Sequence, residues 1–245
     1  MASIPLFLSG CALQPVPVEP ETAPHGHISI RSGTPGVVVA APHATSDPRT
    51  GEIASAIAER TGFGLVVATG FSLEPGVSGR AARRFQVNRP MEGIPGRPPS
   101  EEVATKAARD VYREYERRVR EAAGGPLRFY VEIHGNGRPD TAGRIEIATV
   151  GIAKEWAVRL RALFELIRDA HLRAHPGVAR LDVVVEPADP IFYAASGAKR
   201  DGILRLPERA LHVELPRAAR REFSETYVPI LAEFLTEAVA LTRRP

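Results

Sequence analysis

From His27 onward, short runs of Val, Ile, Leu and Ala alternate with longer stretches in which apolar residues return every three or four positions. Few folds accept that alternation. A strand apolar on both faces needs cover on both faces, and a helix with one apolar stripe needs a surface to lay it on; a sheet between two layers of helices satisfies both. Strands are expected at 27–31, 37–41, 65–69, 128–134, 144–149, 182–186 and 211–215, and helices at 51–61, 101–123, 153–174 and 224–242. In the third helical stretch Trp156, Leu160, Leu163, Phe164 and Ile167 keep the 3- and 4-residue step of one core-facing stripe. The expected fold is therefore α/β, a three-layer α/β/α sandwich around a mostly parallel mixed sheet. Residues 70–100, rich in Gly, Pro and Arg, show no periodicity, and an irregular segment of that length is usually functional or disordered.

Composition removes several function classes. A chain of 245 residues, 44% hydrophobic and 25% charged, buries roughly 70–75% of its unfolded surface and needs no disulfide staples, and its single cysteine could form none internally. The 32 basic residues are nearly all arginine, with Lys106, Lys154 and Lys199 as the lysines, and 29 acidic residues are interspersed among them. That mixing lacks the segregated positive face that nucleic acid needs, so no nucleic-acid partner is expected. No apolar run approaches the roughly 20 residues that span a bilayer, so no transmembrane segment is expected. The first 25 residues read as a flexible, Pro-rich segment. Within it Leu8-Ser9-Gly10-Cys11 resembles a bacterial lipobox, yet no Lys or Arg precedes Arg31 as a secretory segment requires. Two readings stay open: a membrane-anchored lipoprotein held through Cys11, or a disordered tail on a cytoplasmic protein.

In α/β sheets ligands sit beyond the carboxyl ends of the strands, and four such stretches carry chemistry. After strand 37–41 come Pro42-His43-Ala44-Thr45-Ser46-Asp47, with Glu52 opening the next helix. A histidine and a carboxylate on one turn can share a metal, although taken alone the stretch reads as a hydrogen-bonded turn before Pro48. Strand 128–134 ends in Glu132-Ile133-His134-Gly135-Asn136-Gly137. Period-2 alternation puts Glu132 and His134 on one face, so the carboxylate can stand behind the imidazole and fix its tautomer. In the irregular segment, Arg80, Arg83, Arg84, Asn88 and Arg89 read either as a solvated basic face or as a grip for a substrate carboxylate, which a guanidinium fork and an amide suit. Finally, Leu211-His212-Val213-Glu214-Leu215-Pro216-Arg217 puts His212 and Glu214 on one face of a strand. A glutamate there is unfavourable unless paired or used. Two histidines, a carboxylate and a further glutamate are the minimum set for a metal-activated water and its general base.

Taken in order, PHATSD, VNRP, EIHGN and HVELPR resemble the N-formylglutamate amidohydrolase family. That family belongs to the zinc carboxypeptidase-like hydrolases, with the succinylglutamate and aspartate deacylases and the phage poly-γ-glutamate hydrolases. The resemblance implies one catalytic domain over residues 26–245 with a zinc-peptidase-like fold, Zn2+ as cofactor, and His43, Asp47 and His134 as its ligands. It implies Asn88 and Arg89, with Arg84 nearby, as substrate-binding residues, Glu132 as the group behind His134, and Glu214 as catalytic general base. Two features depart from the pattern. Three residues separate His43 from Asp47 where the peptidase motif has two, which leaves Glu52 as a rival ligand, and Glu132 stands where relatives often carry Asp. The activity implied is zinc-dependent hydrolysis of the amide bond of an N-acyl amino acid such as N-formylglutamate. The alternatives are a hydrolase of a larger chain, carboxypeptidase-like or of poly-γ-glutamate type, and a non-catalytic metal-binding protein. The implied partner is a small carboxylate-bearing amide or peptide; the sequence sets no oligomeric state.

Overall fold

The computed structural model describes residues 25–73, 83–94, 97 and 101–242. The lipobox-like tetrapeptide with Cys11, and Arg80, lie outside the described residues. In chain order the elements begin with β1 (His27–Arg31), β2 (Thr34–Ala41), α1 (Thr50–Thr61) and β3 (Phe63–Thr69). Four two-residue strands follow, β4 (Ser72–Leu73), β5 (Arg83–Arg84), β6 (Glu92–Gly93) and β7 (Glu102–Val103), and then α2 (Lys106–Ala123) and β8 (Phe129–Gly135). The second half holds β9 (Arg144–Val150), α3 (Lys154–Leu172), β10 (Asp182–Val185), α4 (Ser196–Asp201), β11 (Arg209–Leu215), α5 (Arg217–Arg220) and α6 (Ser224–Thr242).

Seven strands form one sheet in the order β1-β3-β2-β8-β11-β9-β10. β3, β2, β8 and β11 are mutually parallel, β1 runs against β3, and β9 with its parallel neighbour β10 runs against β11. The mixed sheet lies between two helical layers, as the alternation requires. On one face Ile53 and Ile57 of α1, Leu160 and Phe164 of α3, and Ile230 and Phe234 of α6 close over Val39, Val131, Ile133 and Val213. Phe164 meets Phe234 edge to face, with centroids 5.2 Å apart. On the other face Val111, Tyr115 and Val119 of α2 cover Val38, Ala40, Tyr130 and Ala210. Removing one such ring, as in Phe164→Ala, typically destabilises a domain by about 3–5 kcal/mol. No helix among the described residues is long and apolar enough to cross a membrane.

The expected helix over 101–123 begins instead at Lys106. Thr105, in extended backbone, accepts a hydrogen bond from Ala108 N at 3.0 Å and caps the helix, while Glu102 and Val103 pair with β6. Residues 70–100 are not featureless either, since β4 pairs with β5 and Phe85 bridges to Glu92. Two-residue strands are too short for a period to appear in the sequence.

Parallel register delivers β2, β8 and β11 to one edge of the sheet. Ala40 lies beside Glu132, Glu132 beside His212, and His134 beside Glu214. Because Ile133, Val213 and Leu211 occupy the face covered by α1, α3 and α6, the alternation turns Glu132, His134, His212 and Glu214 toward the α2 face.

Candidate metal centre

Glu132 is fully buried at the centre of the edge. Its carboxylate accepts from Asn88 Nδ2 at 3.2 Å, from the Tyr130 hydroxyl at 3.2 Å, and pairs with His134 Nε2 at 3.1 Å and His212 Nδ1 at 3.0 Å. Tyr115 extends the chain, its hydroxyl 2.7 Å from that of Tyr130. Burial alone would raise the carboxyl pKa, but the hydrogen bonds and charges of His134 and His212 outweigh it and hold Glu132 well below the usual carboxylate range.

The other side of His134 faces a different set. Its Nδ1 lies 3.4 Å from Asp47 Oδ2, which also accepts from Gly135 N at 3.3 Å, and His43 Nδ1 lies 3.8 Å from the same oxygen. His43 Nε2 is 3.1 Å from the carbonyl of Gln86. A carbonyl can only accept, so His43 carries its proton on Nε2 and presents a lone pair at Nδ1. Glu132 does the same for the far nitrogen of His134. Two Nδ1 atoms and a carboxylate oxygen thus converge on one point. Donors about 2.1 Å from a tetrahedral zinc lie about 3.4 Å from one another, which is the spacing the Asp47 oxygen already keeps with His134.

Electrostatics agree with a cation site. Burial and the neighbouring His134 hold the His43 pKa down, which favours the neutral, ligating ring. Burial pushes Asp47 up, but the His134 hydrogen bond, the charges of both histidines and the Gly135 amide bring it below its ordinary value. Burial likewise opposes a charged His134, yet Asp47 on one nitrogen and Glu132 on the other raise its pKa to about 10. The proton on Nδ1 stands where a cation would, and metal binding must release it. Glu132, His134 and His212 form a second donor group within 4.8 Å, but all three are buried and Glu132 is already taken by four side chains. His43, Asp47 and His134 fit zinc better because the His43 and Asp47 side chains are only partly buried.

Glu214, on the strand beside His134, is held at Oε1 by His212 Nε2 at 3.0 Å. It lies opposite Glu146 of β9, whose Oε2 accepts from the amides of Phe192 and Tyr193, each at 2.9 Å. The structure therefore brings His43, Asp47, Glu132, His134 and Glu214 together. It brings Asn88 in through Glu132, with Val87 at a φ of 45° and Ile203 N bonded to the Asn88 carbonyl at 2.9 Å fixing its backbone. Gly202 permits that approach, since a Cβ there would lie 2.2 Å from the same carbonyl oxygen.

Three candidates lie elsewhere. Glu52 is exposed on α1 and belongs to neither donor group. Arg89 is clasped by both oxygens of Glu102, through Nε at 3.0 Å and through Nη2, and touches Asn88 Oδ1 at 3.4 Å. Arg84 sits on β5, opposite Ser72 and beside Gly93. His212, Tyr130 and Tyr115 were given no role by the motifs. Tyr130 and His212 each stand two residues before Glu132 and Glu214, a period-2 signal the sequence does contain.

No protein-family model and no curated protein sequence matches the chain. Among solved structures it is similar to one described as a bacteriophage poly-gamma-glutamate hydrolase, at 15% identity over 89% of this chain and 90% of that chain, with a TM-score of 0.50. It is also similar to a gene product of Agrobacterium tumefaciens, at 17% identity over 89% of this chain and 96% of that one, with a TM-score of 0.51. At such identities the likeness shows a shared fold. This chain has the α/β fold of those two proteins.

Proposed function

We propose that the chain is a zinc-dependent hydrolase of C–N amide bonds, acting on N-acyl amino acids such as N-formylglutamate. The observation that carries this reading is the convergence of the His43 and His134 Nδ1 atoms on Asp47, with Glu214 on the neighbouring strand. His43, Asp47 and His134 would hold the ion, three protein ligands being the arrangement that leaves a position open for chemistry. When bound, zinc would polarise the scissile carbonyl and lower the pKa of water toward about 7. Glu214 would accept the proton of the attacking water on a carboxylate oxygen and pass it to the amine nitrogen as the C–N bond breaks. His212 fixes the carboxylate for that transfer, and Glu132 fixes His134. Arg89 would take the substrate carboxylate in exchange for Glu102, with Asn88 Oδ1 steadying its guanidinium.

Metal analysis followed by a screen of N-acyl amino acids tests this. About one zinc per chain and turnover of an acylated acidic amino acid are expected. Zinc without hydrolysis of any acylated amino acid or acidic peptide would leave a non-catalytic metal-binding protein. The fold shared with a bacteriophage poly-gamma-glutamate hydrolase favours a second reading, cleavage of a longer acidic chain. Comparing rates on N-formylglutamate and on poly-γ-glutamate separates the two.

A further inference from the structure

Beside the metal donors lies a cavity of about 430 Å³ whose wall includes Pro48, Asn136, Arg138, Arg217, Arg220 and Arg221. Pro48 follows Asp47 directly, Asn136 stands two residues after His134, and Arg220 bonds the carbonyls of both, so the cavity wall is continuous with the turns that carry those two candidate donors. Arg220 is its fixed wall. Its three nitrogens hold the carbonyls of Leu215 at 3.1 Å, Pro48 at 2.8 Å and Asn136 at 2.9 Å, and its charge acts on both Asp47 and Glu214. A Cβ at position 135 would lie 2.6 Å from this guanidinium, so Gly135 is what lets it lie under the strand end.

The other three guanidinium groups are less committed. Arg138 gives Nε and Nη2 to Asp140, both at 3.0 Å, and lies 3.9 Å over the Phe192 ring. Arg217 gives Nε to Glu222 at 3.1 Å, and Arg221 has no side-chain partner among the described residues. Asn136 is 3% exposed, and its Nδ2 has no hydrogen-bond partner. Arg138 Nη1, both Nη atoms of Arg217, the Arg221 guanidinium and Asn136 Nδ2 are thus donors without a hydrogen-bond acceptor among the described residues, and the group that supplies acceptors in planar pairs to guanidinium is a carboxylate.

We propose that this cavity is a second anion subsite, which takes a carboxylate-bearing arm of the substrate apart from the position at Asn88 and Arg89. An N-acyl dicarboxylic amino acid, the substrate already proposed, would place its second carboxylate there. The placement of the scissile bond rests on the hydrolase reading above; the anion binding rests on the arginines and Asn136 alone.

Calorimetry on the zinc-loaded full chain tests it, with glutarate as probe and its neutral diamide, glutaramide, as control. Glutarate should bind more tightly than glutaramide by about tenfold or more, and less tightly as salt is added. The double variant Arg138→Gln/Arg221→Gln removes two exposed charges without touching the metal donors or Arg220. It should lose about tenfold or more in glutarate affinity at unchanged zinc content and Tm. Wild-type glutarate affinity in this variant would place the probe at zinc or at Arg89 and overturn the proposal, as would equal binding of the diamide. On hydrolysable substrates the variant should raise KM for an N-acyl dicarboxylic amino acid and leave kcat unchanged, with little effect on a monocarboxylic one. Glutarate binding as expected in a protein that hydrolyses nothing would uphold the subsite while the hydrolase reading fails.

Discussion

Arg89 and Arg221 show how differently the two sides of this edge are built. Arg89 follows Asn88 in the stretch the motifs single out, and both oxygens of Glu102 hold it. Arg221, which no motif marks, lines a cavity with no side-chain partner among the described residues. The same contrast runs through His134. Toward Glu132 its environment is closed, with Asn88, Tyr130, His134 and His212 saturating one buried carboxylate. Toward Asp47 it is open, with two Nδ1 atoms around one oxygen and a basic cavity beyond. A residue type suited to gripping a ligand is thus not yet a free one; what it already holds decides whether it orients or binds.

The contrast is tested most severely at Glu214, which His212 ties to the closed side and which the proposed chemistry needs on the open one. Glu214→Gln should lower turnover about 10²–10⁴-fold, with zinc occupancy and Tm near wild type. A stability loss with unchanged turnover per folded molecule would assign it to the closed side. Next come the metal donors. Asp47→Ala should empty the site and Glu52→Ala should not, while Glu132→Gln should keep the fold and weaken zinc about 10–100-fold, because it orients His134 without ligating. Zinc affinity unchanged in Glu132→Gln would erase the distinction between the two sides. A smaller effect is expected at Arg89→Lys. If substrate displaces Glu102, KM for a carboxylate substrate should rise roughly tenfold with zinc retained, the effect of one charge-assisted hydrogen bond. Equal activity on acids and their amides at the wild-type level would leave Arg89 purely structural.

A last test is a pH dependence in the metal-stripped protein. The His134 pKa is raised from 6.5 to about 10, so its contribution to stability is complete below 6.5 and is lost as pH rises through about 10. Asp47 and Glu132 have lowered pKa values, so their contributions are present above 3.8 and 4.5 and are lost on acidification. His43, lowered below 6.5, opposes stability as it is forced to protonate. Between pH 6.5 and about 10, Tm should fall more for metal-stripped wild type than for His134→Gln, by about 2–4 °C for each kcal/mol involved. Parallel melting curves would mean that His134 does not hold a proton against Asp47.

The layers and strand ends were legible because they depend on local pattern. The period-2 runs around Glu132 and Glu214 fix the face those side chains take, and α6 spans Ser224–Thr242, as its sequence stripe indicates. What joins distant segments was not. Glu102 lies in the stretch expected as helix, and nothing in the sequence pairs it with Arg89. The motifs place Asp47, His43 and His134 at strand ends, but the hydrogen bonds that aim both Nδ1 atoms at one oxygen come from Gln86 and Glu132. Arg220 belongs to no motif and Asn136 sits in EIHGN without an assigned role, since their meaning arises only where α5 folds back beneath Gly135.

The reversal of β9 has a consequence for how such a site can change over generations. Glu146 reaches this edge from the amino end of its strand and grips the amides of Phe192 and Tyr193, while the candidate metal donors arrive on β8 and the turn after β2. The segment bearing Phe192 and the candidate ion-binding residues therefore hang from separate strands of one sheet. Residues around 187–195 can be lengthened or rewritten without moving a candidate ligand, so that segment and the donor set can drift under independent selection.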